Sequence, residues 1–191
     1  MTHNKTFIIT ICAFAAAMNI VLGTLVSQLQ IPLIFLDTIG TIFVAIYFGP
    51  FYGAIVGAVS NIITGIIFSP KDIPFLLVNV AVGVIVGYIA KKYGYSLIIA
   101  IITGIILSII CPLIGSPIAI WIYGGLTGSG NDFLVLFLRM TGADIFTSTF
   151  IPRILGNIVD KVVSAILVWM LIKKLPIKYK PKIINQKTMD V

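Results

Sequence analysis

The chain has 191 residues, of which 59% are hydrophobic and only 10% charged, with a formal net charge of +7. A soluble domain carries about a quarter of its residues as charged groups to form a solvated skin, so this composition excludes one and points to a chain at ease in hydrocarbon. The basic excess does not read as a nucleic-acid surface, because the lysines flank apolar stretches, where they meet lipid headgroups.

No charged residue falls within 6–36, 38–70, 73–90 or 93–131. At about 20 residues per crossing of a roughly 30 Å hydrocarbon core, the chain has room for six crossings. The first stretch, 7–28, is longer than a signal-peptide core and lacks a cleavage pattern, so it is read as a retained transmembrane helix. Breakers and charges then delimit spans at 33–48, 51–68, 75–90, 97–118 and 154–172. Gly49 and Pro50 leave room only for a tight hairpin between the second and third spans, and Pro70 and Pro74 bracket the next turn. The expected fold is an all-α membrane protein, a six-transmembrane-helix bundle at 1–175 followed by a basic cytoplasmic tail at 176–191.

Six crossings place both termini on one side. Lys71, Arg139, Arg153 and Lys161 fall on the opposite side, and the other nine of the 13 basic residues, among them Lys5, Lys91, Lys92, Lys173 and Lys174, fall with the termini. The positive-inside rule makes that side, and both termini, cytoplasmic. Asp37, Asp72, Asp132, Asp144 and Asp160 lie on or near the outer side. Between 119 and 152 the pattern is mixed, with an interfacial-looking Gly-rich run followed by apolar residues that include Arg139 and Asp144. A seventh span would carry the lysine-rich tail across the membrane, so this segment is expected to be an outer, partly re-entrant or interfacial element folded over the bundle.

Gly53, Gly57, Asn61 and Gly65 recur every four residues in the third span, and Asn79, Gly83 and Gly87 do so in the fourth. Small-residue stripes mark faces where helices pack closely, so both asparagines point into the bundle, either to bond a neighbouring helix or to contact a ligand. In the last span Arg153, Asn157, Lys161 and Ala165 share a stripe, with Asp160 pointing elsewhere; the two cations either snorkel to headgroups or face the interior. With Asp37 these groups make the outer half of the bundle polar and predict an outward-opening pocket for a small planar polar molecule. Trp121 and Tyr123 are either interfacial aromatics or stacking groups for that molecule. Cys12 and Cys111 have no paired spacing and read as small buried hydrophobes, and neither metal nor cofactor is expected. In the first span Ala13 and Ala17 form a ridge, with Asn19 about 200° from Ala17 on the opposite face.

The Ala13 and Ala17 ridge, the segment Leu36-Asp37-Thr38-Ile39-Gly40-Thr41 leading to Gly49-Pro50 and Gly53, and Val159-Asp160-Lys161 in the last span together resemble a substrate-binding S component of an energy-coupling factor (ECF) vitamin transporter. The resemblance spans nearly the whole chain, and the 36–41 segment is similar to members assigned to vitamin B6 or the thiamin pyrimidine precursor. It implies capture of a vitamin from outside, docking of the Ala13 and Ala17 ridge on a transmembrane coupling subunit, toppling of the component to release its cargo inward, and power from two ATPase subunits. The 119–152 segment departs from the pattern. No Gly-x-x-x-x-Gly-Lys-Ser/Thr loop is present, so the chain does not cradle ATP phosphates itself.

An intramembrane enzyme is disfavoured, since the only histidine is His3 and the acids cluster toward the outer surface. The alternatives are an S component for another vitamin, such as a thiamin precursor, or a stand-alone ion-coupled transporter, although no inverted repeat or broken midplane helix is visible. The substrate residues expected are Asn61, Asn79 and Asn157 for hydrogen bonding, Asp37 and Lys161 for charged or hydroxyl groups, and Trp121 or Tyr123 for stacking. The expected partners are the vitamin, the coupling module and the lipid bilayer.

Overall fold

A computed structural model describes residues 4–176 and residue 181. The described residues form helices α1 (Lys5–Gln28), α2 (Ile39–Phe48), α3 (Pro50–Ile67), α4 (Leu76–Tyr93), α5 (Leu97–Tyr123), α6 (Asp132–Met140) and α7 (Ile145–Lys174), with a 3-10 helix at Pro70–Phe75 leading into α4. Five segments are long and apolar enough to cross a membrane: α1, α3, α4 with its 3-10 lead, α5 and α7. The fold is an all-α membrane bundle. Apart from Pro176 and Pro181, the tail expected at 176–191 lies outside the described residues.

The second span is shorter than expected. Helix α2 has ten residues, about 15 Å of helix and half of a hydrocarbon core, because residues 31–38 are unwound. Pro32 lacks a backbone donor, and Gln30, Leu33 and Leu36 adopt positive φ. Conversely α5 runs five residues past the expected end, stopping where Gly124 adopts the left-handed conformation at φ 63° and Gly125 follows at φ 95°. The last helix begins at Ile145 rather than 154, capped by Asp144, whose Oδ2 accepts from Phe146 N at 2.9 Å and Thr147 N at 3.0 Å. What remains of the 119–152 segment is a loop and the nine-residue α6, too short to cross a bilayer, so no seventh span forms.

The small-residue stripes set how closely the helices approach. A side chain at Gly83 would meet the Gly53 and Ala54 backbone, and one at Gly57 would meet that of Asn79, so α3 and α4 pack backbone to backbone. Gly40 does the same for α2 against Ala15 of α1. The apolar core, including Ile42, Ile46, Val82, Val86, Leu107 and Val168, lies between α2, α4, α5 and α7. Helix α1 packs on α2 and α3, whereas α7 packs mainly on α5. Two groups of helices result, α1–α4 and α5–α7, joined where α4 meets α5 and α2 meets α7.

Candidate ligand-binding cavity

One cavity of about 270 Å³ lies between these two groups. Its wall is formed by the C-terminal halves of α1, α3 and α5 and the N-terminal halves of α4 and α7. Lys5 starts α1, whereas Lys91, Lys92, Lys173 and Lys174 end α4 and α7, so the cavity occupies the end of the bundle opposite those lysines. Two loops complete it. Residues 29–38 contribute Ile31, Ile34 and Phe35, and residues 124–131 contribute Thr127, Ser129 and Gly130.

The loops are fastened to each other and to α7. Leu33 N donates to Asn131 Oδ1 at 2.9 Å, and Gly130 packs against the backbone of Gln30 and Ile31 with no room for a side chain. Asp132 organises the second loop, accepting from Gly128 N at 2.7 Å, Thr127 N at 3.3 Å and the Ser129 hydroxyl at 3.2 Å. The first loop is pinned by Asp160, which is fully buried; its Oδ1 accepts from Phe35 N and Leu36 N, each at 2.8 Å. These bonds satisfy backbone donors that the unwound segment would otherwise bury unpaired.

Asp160 also faces its sequence neighbour. Its Oδ2 lies 2.6 Å from Lys161 Nζ, which in turn reaches Asp37 Oδ1 at 3.2 Å and Thr38 Oγ1 at 3.1 Å. Adjacent residues on a helix diverge by about 100°, which is why Asp160 is expected to point away. The flexible lysine stem closes that angle. Lys161 is only 3% exposed, so its ammonium lies inside the bundle, held between two carboxylates, and does not snorkel.

A second polar network crosses the first four helices. Asn19, buried on the face of α1 opposite the exposed Ala17, donates to Thr41 Oγ1 at 2.9 Å and Ser60 Oγ at 3.2 Å, and accepts from Gly40 N at 2.7 Å. Thr41 donates to Asn79 Oδ1 at 3.4 Å, and Asn79 donates to Asn61 Oδ1 at 2.5 Å. The amides therefore both join helices and line the cavity. Asn157 donates to Arg153 O at 2.8 Å, while its Oδ1 has no partner among the described residues.

Five of the seven residues expected at a substrate site, Asp37, Asn61, Asn79, Asn157 and Lys161, line this one cavity. Trp121 and Tyr123 do not, which favours the interfacial one of the two roles expected for them. Because α5 continues through them, Trp121 projects from the bundle, 86% exposed, in the manner of an interfacial aromatic. The Tyr123 hydroxyl is engaged by Asp72 Oδ1 at 2.8 Å and Ser69 at 3.3 Å. The aromatic rings in the wall are Phe35 and Phe75. Sequence reasoning passed over both, although Phe75 directly follows Pro74 in a turn already assigned to the outer end. Asn19, on the face of α1 opposite the Ala13 and Ala17 ridge, also lines the cavity though it is absent from the expected site. Among the described residues no cluster of three or more His, Cys, Asp or Glu could hold a metal ion.

Ala13 and Ala17 are both exposed, beside Phe14 and Ile9, on a face of α1 turned away from the cavity. No curated protein and no solved structure matches the chain. A family model does: that of the ECF-type riboflavin transporter S component matches residues 3–176.

Proposed function

The chain belongs to the family of ECF-type riboflavin transporter S components, and from that premise we propose that it is the high-affinity binding subunit for a small heteroaromatic vitamin, best fitted by vitamin B6 such as pyridoxine or pyridoxamine. A member of this family is a multi-pass membrane protein that serves vitamin uptake with an energy-coupling module, and is not an enzyme. The observation that carries the substrate reading is the cavity itself. At about 270 Å³ it falls just below the range of roughly 300–1,000 Å³ usual for drug-sized ligands, which suits one substituted ring.

In this reading Asn61, Asn79 and Asn157 hydrogen-bond the polar rim of the ring, and Lys161 and Asp37 take its charged or hydroxyl substituents. Phe35 and Phe75 supply the aromatic surface in place of Trp121 and Tyr123. The cavity loads from outside, a reading supported by its position opposite the lysine-bearing helix ends. Ala13 and Ala17 dock on a transmembrane coupling subunit, and two ATPase subunits drive release inward.

A second reading, riboflavin, is favoured by the description of the matching family. Mass spectrometry of small molecules co-purifying with the full chain, followed by titration with pyridoxine, the thiamin pyrimidine precursor and riboflavin, separates the readings. Saturable binding of pyridoxine supports the first, and binding of riboflavin alone supports the second. Uptake into vesicles by the lone polypeptide, driven by a proton or sodium gradient, overturns both.

A further inference from the structure

Arg153 stands two turns before Lys161 on the same face of α7 and lines the same cavity. A cation this close to the outer end of a span is expected to snorkel toward headgroups, yet this one is turned inward. One terminal nitrogen donates to Thr127 Oγ1 at 3.2 Å, the guanidinium carbon lies 6.0 Å from the centre of the Phe75 ring, and Nε is buried without a hydrogen-bond partner. The two ion pairs among the described residues both belong to Lys161, whose charge is met by Asp160 and Asp37. Of the two cations in the cavity wall, Arg153 is therefore the one with no carboxylate at ion-pair distance.

A guanidinium offers five N–H donors in a rigid planar fork, and Thr127 takes one of them. The Asp132 carboxylate, which organises the loop carrying Thr127, acts on this charge only from beyond ion-pair distance, so the fork held against an aromatic ring keeps donors for an acceptor that arrives from elsewhere. The acceptors on the cavity wall nearest in charge are already committed, Asp37 to Lys161 and Asp72 to Tyr123.

We infer that Arg153 is a specificity-determining residue that receives an anionic or carbonyl oxygen conjugated to the heteroaromatic ring of the substrate. This rests on the cavity being the vitamin site proposed above, and adds to it a required feature of the ligand. The phenolic oxygen attached to the pyridine ring of pyridoxine, readily ionised because the ring nitrogen takes its proton, is one such group. The carbonyl edge of a flavin is another, and both present an acceptor in the ring plane, where a planar fork can meet it.

The test measures affinities of the full-length chain in detergent for pyridoxine, 3-deoxypyridoxine and riboflavin, in the wild type, Arg153→Met and Arg153→Lys. A hydrogen bond to a charged group corresponds to about a 10- to 100-fold change in affinity. Arg153→Met is expected to lose about that much for whichever vitamin the wild type binds, and Arg153→Lys, which keeps the charge without the fork, to recover only part of it. If pyridoxine is the ligand, removing its phenolic hydroxyl penalises the wild type and leaves Arg153→Met no worse. Equal affinities in wild type and Arg153→Met overturn the assignment while leaving the vitamin reading standing. Binding of none of the probes by the wild type overturns that reading and this inference with it.

Discussion

Replacing Asp160 by asparagine keeps the shape of the side chain and the Oδ1 acceptor of the Phe35 and Leu36 amides, but removes the carboxylate 2.6 Å from Lys161. Lys161 is then a buried cation held only by Asp37 at 3.2 Å. Removing one partner of a buried pair costs about 3–5 kcal/mol, and the surviving Asp37 contact places the expected loss toward the lower end. For a chain of this size each kcal/mol lowers the unfolding temperature by about 2–4 °C, so Asp160→Asn should unfold about 6–12 °C below the wild type. Asp160→Ala should fall further, by about 1 kcal/mol for each of the two amides left without an acceptor. Thermal unfolding of the purified chain, followed by a thiol-reactive dye that reports exposure of buried Cys111, measures all of these. The decisive variant is Asp160→Asn with Lys161→Met. Since it removes both charges together, its loss should be smaller than the sum of the two single losses by about 1 kcal/mol or more. Strict additivity, or an Asp160→Asn variant as stable as the wild type, would refute the claim that this buried pair is coupled and stabilises the bundle.

Asn79→Leu should reduce vitamin affinity about tenfold while the chain still folds, as judged by titration together with monodispersity in gel filtration; unchanged affinity removes Asn79 from the site. Ala13→Trp should leave vitamin binding intact and abolish co-purification with the coupling module, and a normal yield of the assembled complex would refute the docking role of the α1 ridge. The hydrogen bonds from Thr147 and Phe146 hold the Asp144 carboxyl below the ordinary carboxylate range. Its contribution is therefore complete above the unfolded-state value and disappears as the pH falls through the lower folded-state value. Asp144→Ala should erase that part of the acid dependence of unfolding, measured as the unfolding temperature between neutral and acidic pH.

How far the fold could be read depended on how local its causes were. The spans at α1, α3 and α4 follow from runs of apolar residues ending in charges or Pro, and the tight packing of α3 on α4 follows from glycines four residues apart, signals contained in one stretch of chain. The unwinding of 31–38 is not of that kind. Pro32 is a local signal there, but its apolar neighbours fit a helix, and the unwound Phe35 and Leu36 amides are satisfied by a carboxylate more than 120 residues away. Asp160 was passed over for a related reason, since helical spacing gives the direction of a Cβ but not the reach of the long Lys161 stem beside it. The expected end of α5 fell five residues short because the actual end depends on Gly124 adopting the left-handed conformation, a signal carried by backbone conformation and not by hydropathy.

The two polar networks also explain why a ligand at this place would matter to the whole molecule. Asn19, Thr41, Asn79 and Asn61 bind α1 through α4 to one another, and Asp160 with Lys161 binds α7 to the loop that leads into α2. The cavity lies between these networks, with Asn61 and Asn79 on one wall and Asn157 and Lys161 on the other. A ring spanning both walls would crosslink the two groups of helices at the outer end. Their contact away from the cavity is made by rigid apolar packing around Val82, Leu107 and Val168. Occupancy would then be felt as a change in how the cavity-bearing halves sit together, while the opposite halves and the exposed α1 ridge keep their shape. In the function proposed above, the surface that docks, the α1 ridge, is thereby kept apart from the surface that senses, the cavity between the two groups of helices.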